Sequence, residues 1–113
     1  MKTNGKEQTI EEKLKALRDA YRKHLPSKMN EGNMLWTMLN SGDWDPNLAK
    51  DFHRYVHTLA GSAPTFGFVE IGHSAREIEA IIKQCLTENK QPSTEEYDKV
   101  SSILAKLSSD TAT

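Results

Sequence analysis

Apolar side chains recur every three or four residues along most of this chain, and this helical period limits the possible fold more than any other feature. One such run begins at Ile10 and another at Leu48, and two more begin at Ile71 and Tyr97. No segment alternates apolar and polar residues in steps of two, as a half-buried strand would. The sequence therefore predicts an all-α protein.

Local signals mark where the helices begin and end. Thr9 and Ser93 each stand three residues before a glutamate, which is the pattern of a capping box. Asp45 before Pro46 predicts a further start, with the aspartate as N-cap and the proline at the first helical position. Breaks are expected at residues 40–42, at Pro64 with Gly67, and at residues 89–92.

These elements together predict an antiparallel four-helix bundle with an additional N-terminal helical segment. The additional segment is the part of the first apolar run that precedes Pro26, where we expect the helix to kink or restart. The bundle is expected to span residues 9–107, between flexible polar tails at residues 1–8 and 108–113.

The charge balance excludes a large class of functions. Fifteen Lys and Arg residues oppose sixteen Asp and Glu residues, for a net charge of −1, whereas a nucleic-acid binder needs excess positive charge. No apolar stretch reaches the length of a membrane span, and the first residues lack a signal-peptide pattern. We therefore expect a cytoplasmic protein with neither nucleic acid nor membrane as partner.

Two groups of side chains are expected to serve the core. Cys85 lies on the apolar stripe of its predicted helix, which is typical of an inert, buried thiol. The second group is expected to pack in the core and the first loop, or alternatively to form an apolar docking surface. Its members are Met29, Met34, Met38, Trp36 and Trp44.

The predicted helix after Asp45 divides its residues into two faces. At about 100° per residue, its apolar side chains share one stripe: Leu48, Phe52, Tyr55, Val56, Leu59 and Ala63. His57 lies about 150° from the centre of that stripe and is expected to face outward. The same side carries Lys50, His53, Arg54, Gly61 and Pro64, with Ala60 at its flank.

Two small residues make this outward side unusual. Gly61 inside a helix costs up to about 1 kcal/mol relative to alanine, which indicates that something approaches the backbone closely. Ala60 beside it leaves the His57 imidazole without a tall neighbour. This arrangement suits a nitrogen nucleophile presented to a bulky anionic partner, although the residues alone also allow an ordinary surface histidine beside a glycine kept for helix packing.

Residues 57–67, HTLAGSAPTFG, resemble the signature of the histidine-containing phosphotransfer (HPt) domain family. That signature is His-x-Leu-Lys-Gly-Ser-Ala, followed by a glycine and an apolar-periodic helix, whose later positions are filled by Ile71 and Ile78-Glu79. The resemblance covers about residues 10–107. It implies a phosphorelay intermediate in two-component signalling, in which His57 accepts a phosphoryl group from a receiver-domain aspartyl phosphate and passes it to another receiver aspartate.

The resemblance also implies partners and a division of labour. The partners would be response-regulator receiver domains or a hybrid histidine kinase, and the chain itself would be a monomer. Mg²⁺ would belong to the receiver, so no cofactor or metal is expected on this chain, which presents a neutral imidazole for transfer. Because no glycine-rich phosphate loop is present in the sequence, we expect no ATP-dependent kinase activity of its own.

Ala60 departs from the family pattern, which usually has a lysine there to meet the phosphoryl group. Substitute charge could come from Arg54 or Lys50 on the same helix, or from Arg76 or His73 on the next one. The polar edge of that next helix can supply, in this family, a hydrogen bond to the acceptor imidazole. The predicted phosphoryl- and receiver-docking surface is Gly61, Ala60, Arg54, Lys50, His53, His73, Arg76 and Glu79.

Two further functions stay open at this point. The first is an interaction module that docks a receiver without transferring the phosphoryl group, because Ala60 replaces the lysine. The second is a metal-binding helical bundle, since His53 and His57 have the i, i+4 spacing of two zinc ligands. Such a site would need His73 or Glu79 as its third ligand.

Overall fold

The computed structural model describes residues 9–111, which form four α-helices. The helices are α1 (Ile10–Leu39), α2 (Pro46–Thr65), α3 (Val69–Glu88) and α4 (Thr94–Asp110). No strand occurs within the described residues, so the predicted all-α bundle is confirmed. The predicted N-terminal tail, residues 1–8, lies outside the described residues.

The helix starts follow from their capping side chains. The Thr9 hydroxyl accepts from the backbone N–H of Glu12, whose carboxylate accepts from the backbone N–H of Thr9. Ser93 and Glu96 repeat this reciprocal arrangement at the start of α4. Asp45 caps α2 by accepting from the backbone N–H groups of the second and third residues of that helix. All three predicted N-caps are confirmed.

We expected α1 to kink or restart at Pro26. The restart is wrong, because α1 continues through Pro26 as one helix, and the kink stays a prediction. The additional N-terminal segment is therefore the first half of α1 and not a separate helix. Proline removes the donor that would have bonded the Arg22 carbonyl, and both residues are exposed, so water can satisfy that carbonyl. Of the predicted C-terminal tail, residues 108–113, the first three are helical, and the Asn33 side-chain amide donates to Ser108. Residues 112–113 lie outside the described residues.

The core lies where α2 and α3 pack together under the second half of α1 and under α4. One stripe of α3 faces this core, and its buried members are Ile71, Ala75, Ile78, Ile82 and Cys85. Burial raises the pKa of the Cys85 thiol, as expected for an inert core cysteine. Met29 is buried, whereas Met34 and Met38 are exposed, so the methionine group divides between core and surface.

Glycine allows close contacts between helices at two places. A Cβ at Gly72 of α3 would overlap the ring of Pro64 on α2. A Cβ at Gly32 of α1 would lie 2.5 Å from the Tyr55 ring, and the Tyr55 hydroxyl donates to the Lys28 carbonyl. These contacts hold α2 closely against both neighbours.

Within residues 9–111, no helix combines the length and the apolar character that a membrane crossing requires.

Candidate functional site

His57 projects from the outward side of α2, as the helical period predicts. Its side chain is 67% exposed. Lys50, Arg54 and Gly61 are exposed on the same side of the helix, and His53 is half-buried. We call these five residues the His57 face.

Glu79 of α3 fixes the orientation of the His57 ring. Its Oε2 atom lies 2.5 Å from His57 Nδ1, and its side chain is only 16% exposed. Because an ionised carboxylate can only accept a hydrogen bond, His57 Nδ1 is the donor in this contact. In the neutral form of the ring, this bond leaves the lone pair on Nε2, which is then available as a nucleophile.

His53 lies one turn before His57 and flanks the same carboxylate. His53 Nε2 is 3.6 Å from Glu79 Oε2, slightly beyond hydrogen-bond distance. This nitrogen is shielded from solvent and has no hydrogen-bond partner among the described residues. The rings of His53 and His57 are nearly parallel, with centroids 6.0 Å apart. The carboxylate of Glu79 is the acceptor that faces both imidazoles.

Two cations lie near the His57 ring on the same helix. Lys50 and Arg54 line a shallow, open depression together with His53 and His57. Their charges are on exposed side chains, so the depression suits a solvated anionic group better than an apolar one.

The predicted docking surface includes three residues of α3, which differ in whether they contact His57. Glu79 contacts His57 directly, as described above. His73 is exposed in the second turn of α3, with Nδ1 3.8 Å from a carboxylate oxygen of Glu70. Arg76 is exposed on the same helix. A compensating role for His73 or Arg76 stays a prediction.

The expectation that Ala60 lies at an exposed flank is wrong. Ala60 is 1% exposed, and its carbonyl oxygen is 3.4 Å from the position that a Cβ on Gly72 would take. Gly72 allows α3 to approach α2 so closely that Ala60 becomes part of their contact. At Gly61, the next residue, no heavy atom of the described residues outside its own stretch of helix lies within 4 Å of the position of its missing Cβ. Of the two small residues beside His57, the open one is therefore Gly61.

The remaining residues of the signature hold the helices together. The Ser62 hydroxyl is hydrogen-bonded to the Tyr21 hydroxyl at 2.7 Å, and Tyr21 stacks on Phe66 with centroids 4.6 Å apart. Ala63 is fully buried. Sequence reasoning missed the Tyr21–Ser62 pair, because its members are 41 positions apart and the helical period gives no information about partners at that distance.

The metal-binding alternative gains no support from the geometry. Within residues 9–111, no group of three His, Cys, Asp or Glu side chains has an arrangement that could hold a metal ion. His53, His57 and Glu79 are close together, but their contacts are those of a carboxylate with two imidazoles.

Comparison with known protein families agrees with this geometry. The family model of the Hpt domain matches residues 7–110, which is nearly the whole chain. The chain therefore belongs to the Hpt domain family, whose members are phosphotransfer modules of two-component signalling and interact with receiver domains and histidine kinases. Comparisons with curated proteins and with solved structures gave no match.

Proposed function

We propose that this chain is a phosphorelay intermediate whose phosphoryl acceptor is Nε2 of His57. The observation that carries the proposal is the hydrogen bond between Glu79 and His57 Nδ1 on an otherwise exposed ring. That bond leaves the lone pair on Nε2, which is the atom that a partner can reach.

The proposed transfer is a direct displacement at phosphorus. His57 Nε2 attacks the phosphorus of an aspartyl phosphate on a receiver, forming a P–N bond while the P–O bond to the receiver breaks. The electron pair of that bond leaves with the receiver carboxylate. The phosphorylated ring is then cationic, and its Nδ1 proton remains hydrogen-bonded to the Glu79 carboxylate, which stabilises the positive charge. Attack by the aspartate of a second receiver reverses these steps.

The charged side chains of the His57 face support an anionic partner. Lys50 and Arg54 lie within one to two turns of His57, where they can attract the phosphoryl group or acidic residues of a receiver. Because both are exposed, their effect on transfer is expected to be modest and to fall with added salt. Most of the charge neutralisation then comes from the receiver and its Mg²⁺.

The test is incubation with a receiver domain that carries a radiolabelled aspartyl phosphate. We expect label to move to this chain as an acid-labile, base-stable phosphate, and His57→Gln to abolish the labelling. His24→Gln is the matched control, since His24 is exposed on α1 and outside the His57 face. Labelled His57→Gln protein would mean that the acceptor is another residue. Binding of the receiver without transfer of label would instead support a docking module.

A further inference from the structure

The N-terminal part of α1 extends past the end of the bundle. We call residues 10–20 the arm, and every one of them is exposed. The next residue, Tyr21, contacts Ser62 and Phe66 at the C-terminal end of α2. The 30 residues of α1 span about 45 Å and the 20 residues of α2 about 30 Å. The arm is the part of α1 that extends beyond the shorter helices. At its base, the Cδ atom of Arg18 is 3.6 Å from the position that a Cβ on Gly67 would take, so Arg18 lies beside the α2–α3 connection.

An apolar stripe continues from the core of the bundle onto the arm. Leu25 is 2% exposed and Tyr21 is half-buried, and the same stripe continues outward to three large exposed side chains. These are Ile10, Leu14 and Leu17, which are 75%, 52% and 54% exposed, and we call them the arm seam. A continuous apolar stripe left open on a helix is typical of a surface that contacts another protein.

The charges beside the arm seam complement a second copy of the same helix. Glu11 and Arg18 lie about 90° and 70° from the seam centre on one flank, and Lys13 lies about 70° away on the other. When two identical helices pair antiparallel, each flank faces its own copy, which sets Glu11 opposite Arg18 twice. Parallel pairing would instead set Lys13 opposite Arg18, which is repulsive. The charges therefore select the antiparallel arrangement.

We propose that this chain forms a homodimer through antiparallel pairing of two arms. The interface is isologous, with the arm seams packed together and Glu11 paired with Arg18 of the other copy at both ends. Because each seam has only three large side chains, we expect a reversible dimer at the small end of interface sizes. The proposal departs from the monomer expected from the sequence, and it does not depend on the function of His57.

The first test measures association directly by sedimentation equilibrium, from about 10 µM to about 1 mM chain. We expect the average mass to rise from monomer toward dimer across this range. Leu14→Glu should keep the chain monomeric throughout, whereas Met34→Glu, at another exposed apolar position of α1, should dimerise like the original protein. Circular dichroism checks that both variants keep their helices. A monomer at every concentration, or an unchanged dimer in Leu14→Glu, overturns the proposal.

The second test distinguishes antiparallel pairing from any other contact of the arm. Glu11→Arg and Arg18→Glu each turn two attractive pairs into two repulsive ones, so each should weaken dimerisation about tenfold. The double variant restores opposite charges across the interface and should regain most of the original affinity. If the loss of dimerisation free energy in the double variant equals the sum of the losses in the two single variants, the antiparallel pairing is overturned. Assemblies larger than a dimer would overturn the closed dimer.

Discussion

The two faces of α2 differ in how closely their side chains are packed, although they belong to one helix of 20 residues. On the buried face, Phe52, Val56 and Ala63 are fully enclosed and their neighbours fit closely. On the His57 face, the rings of His57 and His53 both contact the single carboxylate of Glu79, and the side chains of Lys50 and Arg54 are exposed. The buried face therefore sets the stability of the fold, and the His57 face can change without unfolding it.

Ala60 and Gly61 show how sharply the two faces meet. They are adjacent in sequence and similar in size, yet Ala60 is enclosed by the contact with α3 and Gly61 faces open space. A larger side chain has no room at Ala60, because the backbones of α2 and α3 are close there. At Gly61 it would extend into solvent and meet only an incoming partner.

The largest expected effect is that of Phe52→Ala on the buried face. Phe52 is fully buried and its ring lies 5.3 Å from that of Trp36, so truncation leaves a cavity and should cost about 3–5 kcal/mol of unfolding free energy. Urea denaturation followed by circular dichroism measures it. Lys50→Ala, on the exposed side of the same helix, should stay within about 0.5 kcal/mol. Equal losses from both variants would remove the distinction between the faces.

A smaller effect is expected from Ala60→Lys, which restores the residue usual in the family. Because Ala60 is enclosed, the longer side chain must push α2 and α3 apart or bend outward, which should cost about 1–3 kcal/mol of stability. We expect no gain in the rate of transfer from a phosphorylated receiver. Thr58→Lys adds the same charge at an exposed neighbour and should be neutral for stability. A stable Ala60→Lys protein with faster transfer would show that this position is open.

The smallest change in stability is expected from Gly61→Gln. Glutamine favours the helix over glycine by up to about 1 kcal/mol, and its Cβ meets no heavy atom within 4 Å among the described residues outside its own stretch of helix. Transfer from a receiver should nevertheless be blocked, because the side chain stands where the partner approaches. Phosphorylation by phosphoramidate, a small donor, should be unaffected, which separates docking from chemistry. Normal transfer from the receiver would mean that Gly61 has no docking role.

Sequence reasoning predicted what depends on local pattern. Caps at Thr9, Asp45 and Ser93, and the buried stripes of α2 and α3, follow from neighbouring residues and a fixed helical period. The continuation of α1 through Pro26 was not predicted, because the cost of a proline in a helix depends on whether the carbonyl that it leaves unbonded can reach water. That condition is set by the exposure of the residue in the fold.

The site itself was only half predictable. The outward position of His57 follows from the helical period, but its contact with Glu79 joins residues 22 positions apart on different helices. The burial of Ala60 depends on Gly72, which allows the two backbones to approach. A helical wheel places each residue on its own helix and contains no information on how closely the next helix packs.

The proposed function requires that Glu79 hold His57 with its proton on Nδ1, so that Nε2 takes the phosphoryl group. Nitrogen NMR of the protein labelled with ¹⁵N in its histidine rings tests it, before and after incubation with a phosphorylated receiver. We predict that unphosphorylated His57 carries its proton on Nδ1 and that the phosphorylated protein shows ³¹P coupling to His57 Nε2. In Glu79→Ala, the preference for the Nδ1 proton should be lost. A proton on His57 Nε2 in the original protein, or phosphorus bonded to Nδ1 or to His53, would contradict the account.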